Sequence, residues 1–357
     1  MAQSLPSRVS GPAYGMNIFI WDMPFTTDRD LARVSDAKFG WQKSLFQWRL
    51  IEPQRGTFDW TEADRVVRAS ADTGVKVIAR LDFQPDWARR DRAPNGPPDN
   101  YDDFANFVYA LMDRYRTGSP YGTIHAIEVW NEPNIGRDWG NALIGPGSAA
   151  DYVRLLCTGN RAAKRASPDV IVISGALTPT GTINRESADD VIYTQWMYDA
   201  GAKPCFDALG AHGAGYKSPP WVGPGELMTS SQWGGDHTFG MRRVEQLRDV
   251  MVRNGDAAKQ VWLTEFGWSS DPIHSAYSWH RVTEEQKADF IVEAYRFAYL
   301  NWQPWIGVMV LWNVSNPDWT ENREEYWWSV TNPDGTTRPA YDALVSARAS
   351  GYLPDPN

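Results

Sequence analysis

The stretch Val129-Trp130-Asn131-Glu132-Pro133-Asn134 closes an apolar run that begins at Ile124. The run reads as a short buried strand, and an amide, a carboxylate and a proline follow it at once. Proline biases the residue before it towards extended geometry. Glu132 is therefore expected at the mouth of the strand and not inside a helix. A second stretch answers the first: Gln260-Val261-Trp262-Leu263-Thr264-Glu265-Phe266-Gly267-Trp268, another short apolar strand ending in a glutamate. Two carboxylates at the same end of two strands suit paired acid and nucleophile chemistry on a sugar.

Working outward, apolar runs of strand length alternate with segments of helical periodicity. Strands are expected over Tyr14 to Phe19, Phe39 to Trp48 (with Lys43 inside it), Val75 to Leu81, Ile124 to Trp130, Val170 to Ser174, Phe206 to Ala211, the Glu265 strand, and Ile306 to Trp312. Helices are expected over Asp28 to Asp36, from Thr61 to Gly74, Asp102 to Arg116, Ala149 to Ala166, Asp189 to Ala200, Phe239 to Asn254, Thr283 to Leu300, and near Ala340 to Ala347. Thr61 with Asp64, and Thr283 with Gln286, read as capping pairs. Gly74 and Gly255 read as stops. Arg49 to Trp60 and Gly213 to His237 read as loops. The strict alternation of eight strands with eight helices implies an α/β fold, a (β/α)8 TIM barrel in one domain over residues 1–357. The surplus length falls in long loops after strands three, six, seven and eight, at the C-terminal face of the strands where such barrels carry their sites. No G-x-G-x-x-G turn follows a strand, which weighs against a dinucleotide fold.

The net charge of −9 offers no basic surplus for nucleic acid, and no apolar run approaches a membrane span. The 19 Trp and 15 Tyr exceed what a core needs; flat rings stack on pyranose faces and an indole N–H adds a directional donor. A carbohydrate is the expected partner. Two cysteines, Cys157 and Cys205, say little about compartment, and are expected as buried thiols, not a disulfide. Met1 to Ser10 lacks the apolar core of a signal peptide. A secreted or extracytoplasmic location is expected, with the signal outside this sequence and a cytoplasmic location as the alternative.

Glycoside cleavage needs one group that protonates the departing oxygen and another that meets the oxocarbenium-like centre. The first must hold a proton near neutral pH, and a neighbouring negative charge would raise its pKa. With this chemistry in view, Trp130-Asn131-Glu132-Pro133 and Thr264-Glu265-Phe266-Gly267-Trp268 resemble the signatures of the retaining glycoside hydrolases of clan A. Trp48-Arg49-Leu50-Ile51-Glu52-Pro53…Gly56…Phe58-Asp59-Trp60 and Asn332-Pro333-Asp334-Gly335…Arg338-Pro339-Ala340-Tyr341 bring the chain nearest to family 39 and its endoglycosidase relatives. The resemblance implies a general acid/base at Glu132, a nucleophile at Glu265, an Asn131 that bonds the sugar's 2-hydroxyl and a Trp312 platform under the reacting sugar. It also implies that His212 or Tyr216 contacts the nucleophile or the sugar.

Many clan members carry an arginine on strand two; here Lys43 stands in that stretch, a point charge without the bidentate fork, with Arg49 as a lesser candidate. Glu128 is expected in the wall of its strand. Asp82 and Gln84 are candidates for substrate hydroxyls, and Trp87, Trp233 and Trp268 for outer platforms. No cofactor or metal is expected: the five histidines show no His-x-His or His-Glu-x-x-His spacing. The competing reading is a carbohydrate-binding or transglycosylating barrel with weak hydrolysis.

Overall fold

The structure, a computed structural model, describes residues 8–91 and 93–356. Residues 1–7, most of the stretch read as lacking a signal core, lie outside the described residues. In chain order the elements are β1 (Ala13–Asn17), α1 (Thr27–Asp36), β2 (Trp41–Gln47), α2 (Trp48–Ile51), α3 (Thr61–Asp72), β3 (Lys76–Asp82), α4 (Tyr101–Arg114), β4 (Ile124–Val129) and α5 (Pro146–Ala166). They continue as β5 (Ile171–Ser174), α6 (Asp190–Asp199), β6 (Ala208–His212), α7 (Pro224–Thr229), α8 (Arg243–Arg253), β7 (Gln260–Phe266), α9 (Glu284–Asn301), β8 (Ile306–Leu311) and α10 (Pro339–Ala349). The eight strands form one closed barrel in sequence order, all pairs parallel, with β8 returning to β1. The barrel expected from the alternation is the barrel observed.

Each strand alternates between two cores. Trp41, Ile78, Ala126, Ala208, Trp262 and Val308 fill the barrel's interior, while their neighbours Ala79, Ile127, Val261 and Met309 face the helices. This is why the strands read as near-continuous apolar runs: both faces are buried. One step nearer the C-terminal ends, the inward positions turn polar. Lys43, Glu128 and Thr264 continue the registers of Trp41, Ala126 and Trp262, and they bond one another inside the barrel.

Three local expectations are corrected. Thr61 does not cap α3 with Asp64: it is already helical, Asp59 Oδ1 accepts its N–H at 2.9 Å, and Asp64 pairs with Arg114. The chain after β2 is not all loop, because Glu52 bonds Trp48 Nε1 one turn back at 2.7 Å and closes α2, while its other oxygen accepts from Gly56 N at 2.7 Å. The long stretch after β6 contains α7, opened by Pro224 at its first turn. The Thr283–Gln286 box, by contrast, forms with both bonds present, and Gly74 and Gly255 take left-handed φ of 70° and 70° past their helices.

Cys157 on α5 and Cys205 just before β6 are joined in a disulfide, their Cα atoms 4.5 Å apart. The expectation of two free thiols fails because α5 packs against the short turn Lys203–Cys205 that leads into β6. Neither the helix nor the turn announces that contact in sequence.

Candidate active site

At the C-terminal mouth of the barrel, backbone irregularities aim the two glutamates. Trp262 and Thr264 point to the barrel axis, so strict alternation would send Glu265 outward. A register slip lies between Leu263 and Phe266 in the pairing with β8, and another between Ala211 and His212 in the pairing of β6 with β7. Such bulges re-aim a side chain, and here Glu265 turns into the mouth, level with His212. After β4 the chain takes left-handed φ at Trp130 (73°) and at Glu132 (41°). Glu132 is thus not extended, as its proline neighbour led one to expect. Its N–H is claimed by Ala176 O at 2.9 Å, and Trp130 is pulled out among the helices, where its Nε1 donates to Asp138 O at 2.7 Å. Tertiary bonds hold a backbone conformation that local preference opposes, a frequent situation at functional sites.

Glu132 and Glu265 converge on one imidazole. His212 Nδ1 lies 2.8 Å from Glu132 Oε1, and its Nε2 lies 3.7 Å from Glu265 Oε1. Each carboxylate also has its own cations. Arg137 Nη2 donates to Glu132 Oε2 at 3.3 Å. Lys43 Nζ stands 3.1 Å and Arg80 Nη1 3.7 Å from Glu265 Oε1. Lys43 is only 2% exposed and binds Glu128 Oε2 at 2.9 Å as well. Glu128 is sealed from solvent, its other oxygen accepting from Thr264 Oγ1 at 2.7 Å and Ala176 N at 3.2 Å. It belongs to the interior of the barrel, beneath the mouth.

Burial pushes the Glu132 carboxyl up, but the bond and charge of His212, and then Arg137, outweigh it and bring the group down to about 2. His212 moves the opposite way: burial lowers it, while the charge of Glu265 and the bond to Glu132 raise it. Between about pH 2 and the ordinary imidazole value of 6.5 the pair is therefore carboxylate and imidazolium. The expectation that a neighbouring negative charge keeps the acid protonated is reversed, because the contacts of His212 and Arg137 outweigh what raises the Glu132 carboxyl.

The cleft above these groups encloses about 540 Å³. Asn131, His212, Tyr216 and Trp312 line it with Glu132 and Glu265, as expected. Tyr216 stacks on Trp279 at 5.5 Å; Trp312, half-buried at the end of β8, meets Phe19 edge-on at 5.6 Å.

Other candidates are corrected. Trp268 is wholly buried, its Nε1 donating to Ser218 O at 2.9 Å and its ring filling the space a Cβ at Gly215 would need; it is a core residue under the loop after β6. Asp82 is sealed behind Arg80 at 3.3 Å, and Lys43 touches Glu265 from below, so neither borders the cleft. Gln84 bonds Ala93 O and Gly96 N within its own loop, and Trp87 donates to Glu52 O. Trp233 sits by Glu226 at 3.3 Å. Arg49 donates to Gln47 Oε1 at 2.9 Å and takes no part.

Arg80 and Arg137 are not foreseen from sequence. Arg80 had a signal, a lone charge inside the apolar run Val77-Ile78-Ala79-Arg80-Leu81, of the same kind as Lys43 in β2. It reaches both Glu265 and Asn131 Oδ1, the latter at 3.3 Å. Tyr277, Trp279 and Trp328 also line the cleft, from loops whose course the sequence does not dictate. The loop bearing Trp328 is tied down by two buried cations. Lys287 Nζ donates to Trp327 O and Ser329 O, both at 3.1 Å, and Arg338 Nη1 to Tyr326 O at 2.9 Å. The Arg338-Pro339-Ala340-Tyr341 motif thus braces the wall of the cleft.

No protein-family model matches the chain, and no curated protein matches it. Among solved structures, a family 39 glycoside hydrolase from Bacteroides cellulosilyticus WH2 superposes with a TM-score of 0.68 at 19% identity, covering 95% of this chain and 63% of that one. A GH5_18 protein from Streptomyces cattleya, solved with Manβ1-4GlcNAc, gives 0.66 at 16% identity over 96% of this chain and 81% of that one. A GH10 protein from Paenibacillus barcinonensis gives 0.59 at 17% over 97% and 96%. At these identities the likeness establishes the fold. The chain spans 63% of the length of the family 39 structure.

Proposed function

We propose that the protein is a retaining β-glycosidase that hydrolyses O-glycosidic bonds of an oligo- or polysaccharide by double displacement, with Glu132 as acid/base and Glu265 as nucleophile. One observation carries the reading: carboxylates from opposite sides of the barrel meet the two nitrogens of a single imidazole. Their separation is bounded by that ring and its two contacts, a range that includes the roughly 5–5.5 Å of direct attack. The glycoside hydrolases that share the fold support it, as does the aromatic lining of the cleft.

The residues divide the work as follows. Lys43 and Arg80 hold Glu265 in place, and its carboxylate attacks the anomeric carbon. His212 stores the proton that Glu132 needs. Substrate filling the cleft displaces water from the Glu132–His212 ion pair, and desolvation favours the neutral pair, a carboxylic acid beside a neutral imidazole. Glu132 then gives its proton to the departing oxygen as Glu265 forms the glycosyl ester. In the second half, Glu132 takes a proton from water, which displaces Glu265. Asn131, held by Arg80, is positioned to bond the 2-hydroxyl, an interaction that strengthens in the transition state. Trp312 and the Tyr216–Trp279 pair offer faces for sugar rings.

The Cys157–Cys205 disulfide supports a secreted or extracytoplasmic location, where such bonds persist. No helix among the described residues is long and apolar enough to cross a membrane.

The test is a panel of β-linked glucans, xylans, mannans, galactans and arabinose-containing glycans, with the anomeric configuration of the first product followed by NMR. Glu265→Gln and Glu132→Gln are expected to fold normally and lose about 10³-fold or more in kcat on good substrates. Wild-type turnover in both variants, or a product of inverted configuration, refutes the assignment. The resting ion pair favours one second reading, a barrel that binds glycans and turns them over weakly. Tight glycan binding without cleavage in the same panel selects it.

A further inference from the structure

On the Glu132 side of the mouth the cleft opens into a second groove of about 870 Å³. Its walls come from the chain after β4 (residues 135–143) and after β5 (residues 178–187), and it includes nothing from the β7–β8 side where Glu265 stands. Arg137 and Thr178 line both cavities and form their common edge. A general acid sits beside the group it expels, so a groove reached past Glu132 lies where the leaving group goes.

The charge of this groove runs against that of the molecule. In a chain of net charge −9, its lining carries Arg137 and Arg185 against Glu186. The Arg137 side chain is 76% exposed and only partly used. Nε holds Asp138 Oδ2 at 3.2 Å and Nη2 holds Glu132 Oε2 at 3.3 Å; among the described residues Nη1 has no partner. Arg185 has no ion pair among the described residues. A guanidinium with a free edge at the rim of a cleft is a ready clamp for a carboxylate.

Resting on the glycosidase reading above, we infer that this groove is the leaving-group subsite and that it selects a leaving group bearing a carboxylate, clamped by Arg137 with Arg185 behind it. The clamp has a chemical consequence. Unoccupied, Arg137 favours the ionised form of Glu132, which is the wrong form for an acid. A substrate carboxylate engages the guanidinium and offsets its charge. The groups left facing Glu132 are then His212, whose proton it can take, and the anions Glu265 and Asp138, which favour the neutral carboxyl. The right leaving group thereby helps to arm the acid that expels it: the proton passes from Glu132 to the departing oxygen while Glu265 takes the glycosyl carbon.

The experiment compares phenyl and 3-carboxyphenyl β-glycosides of the sugar identified by the glycan panel, whose departing phenols are of similar acidity. Wild type is expected to favour the carboxylated aglycone in kcat/KM by about tenfold, the lower range for a charge-assisted bond at an exposed site. Arg137→Gln is expected to abolish that preference and to move the alkaline limb of kcat on the phenyl glycoside to higher pH. Arg185→Gln, on the outer wall, is expected to reduce the preference two- to threefold, a milder charge effect. Equal rates on both aglycones in wild type, or a preference that survives in Arg137→Gln, overturns the inference while leaving the glycosidase reading intact. Release of neither phenol counts against the glycosidase reading itself, and the inference falls with it.

Discussion

Replacing Lys43 by Met separates two tasks that one ammonium performs. Its Nζ lies 2.9 Å from Glu128 Oε2 and 3.1 Å from Glu265 Oε1, and donates to Thr264 O at 3.3 Å. Glu128 is wholly buried, and Oε2 has no hydrogen bond of its own. Without Lys43 its charge is stranded, and breaking a buried pair in this way costs about 3–5 kcal/mol. At about 2 °C per kcal/mol for a chain of this size, the melting temperature should fall by about 6–10 °C. Glu265 keeps Arg80 and His212 but loses its nearest cation, a change expected to lower kcat by about 10²-fold. Lys43→Met combined with Glu128→Gln removes the stranded charge and keeps an oxygen for Thr264 and Ala176. Thermal melts should then recover most of the stability, while glycan turnover stays low. Wild-type melting in the single variant, no recovery in the double, or full activity in either refutes the argument that one lysine serves both glutamates.

Three other outcomes follow from named contacts. The folded pKa of Glu132 is lowered from 4.5 to about 2 and that of His212 is raised above 6.5. The carboxylate's contribution is thus present above about 4.5 and lost as pH falls towards 2, while the imidazolium's is complete below 6.5 and lost as pH rises through its folded value. The stability difference between wild type and His212→Gln, measured by melts across pH, should therefore peak between about 4.5 and 6.5; a flat difference contradicts the ion pair. The disulfide closes a separation of 48 residues, worth about 4 kcal/mol in the chain-entropy description. A Cys157→Ser/Cys205→Ser variant should melt lower, and thiol titration of the unfolded, unreduced wild type should find no free cysteine. Trp268→Ala should cost about 3–5 kcal/mol as a core deletion, whereas Trp312→Ala should raise KM and leave the melting temperature nearly unchanged; the opposite pattern would reverse their roles.

The fold was legible because a barrel writes itself in sequence twice, once in the alternation of elements and once in strands apolar on both faces. The errors are local: the Thr61 cap, α2 and α7 depend on which polar group wins a bond, and Asp59, Glu52 and Pro224 are decided by neighbours. The site was legible in part. Glu132, Glu265, Asn131, His212, Tyr216 and Trp312 end strands or follow them closely, so the barrel delivers them to one mouth. Trp268 also follows a strand, but Gly215 leaves room for its ring in the core, and nothing local distinguishes a platform from a packed residue.

The chemical groups at each strand end are legible from the chain alone, because a side chain's identity and its distance from a strand are both linear properties. How those groups are charged and aimed is set by folding. The slips of register that turn Glu265 inward, the Ala176 carbonyl that holds Glu132 at positive φ, and the approach of Arg80 and His212 from separate strands are long-range contacts, while Arg137 reaches Glu132 from five residues along the same loop. Electrostatic influence depends on distance through space and on burial, and neither is ordered along the chain. That is why the acid expected to be protonated is found paired with a cation instead.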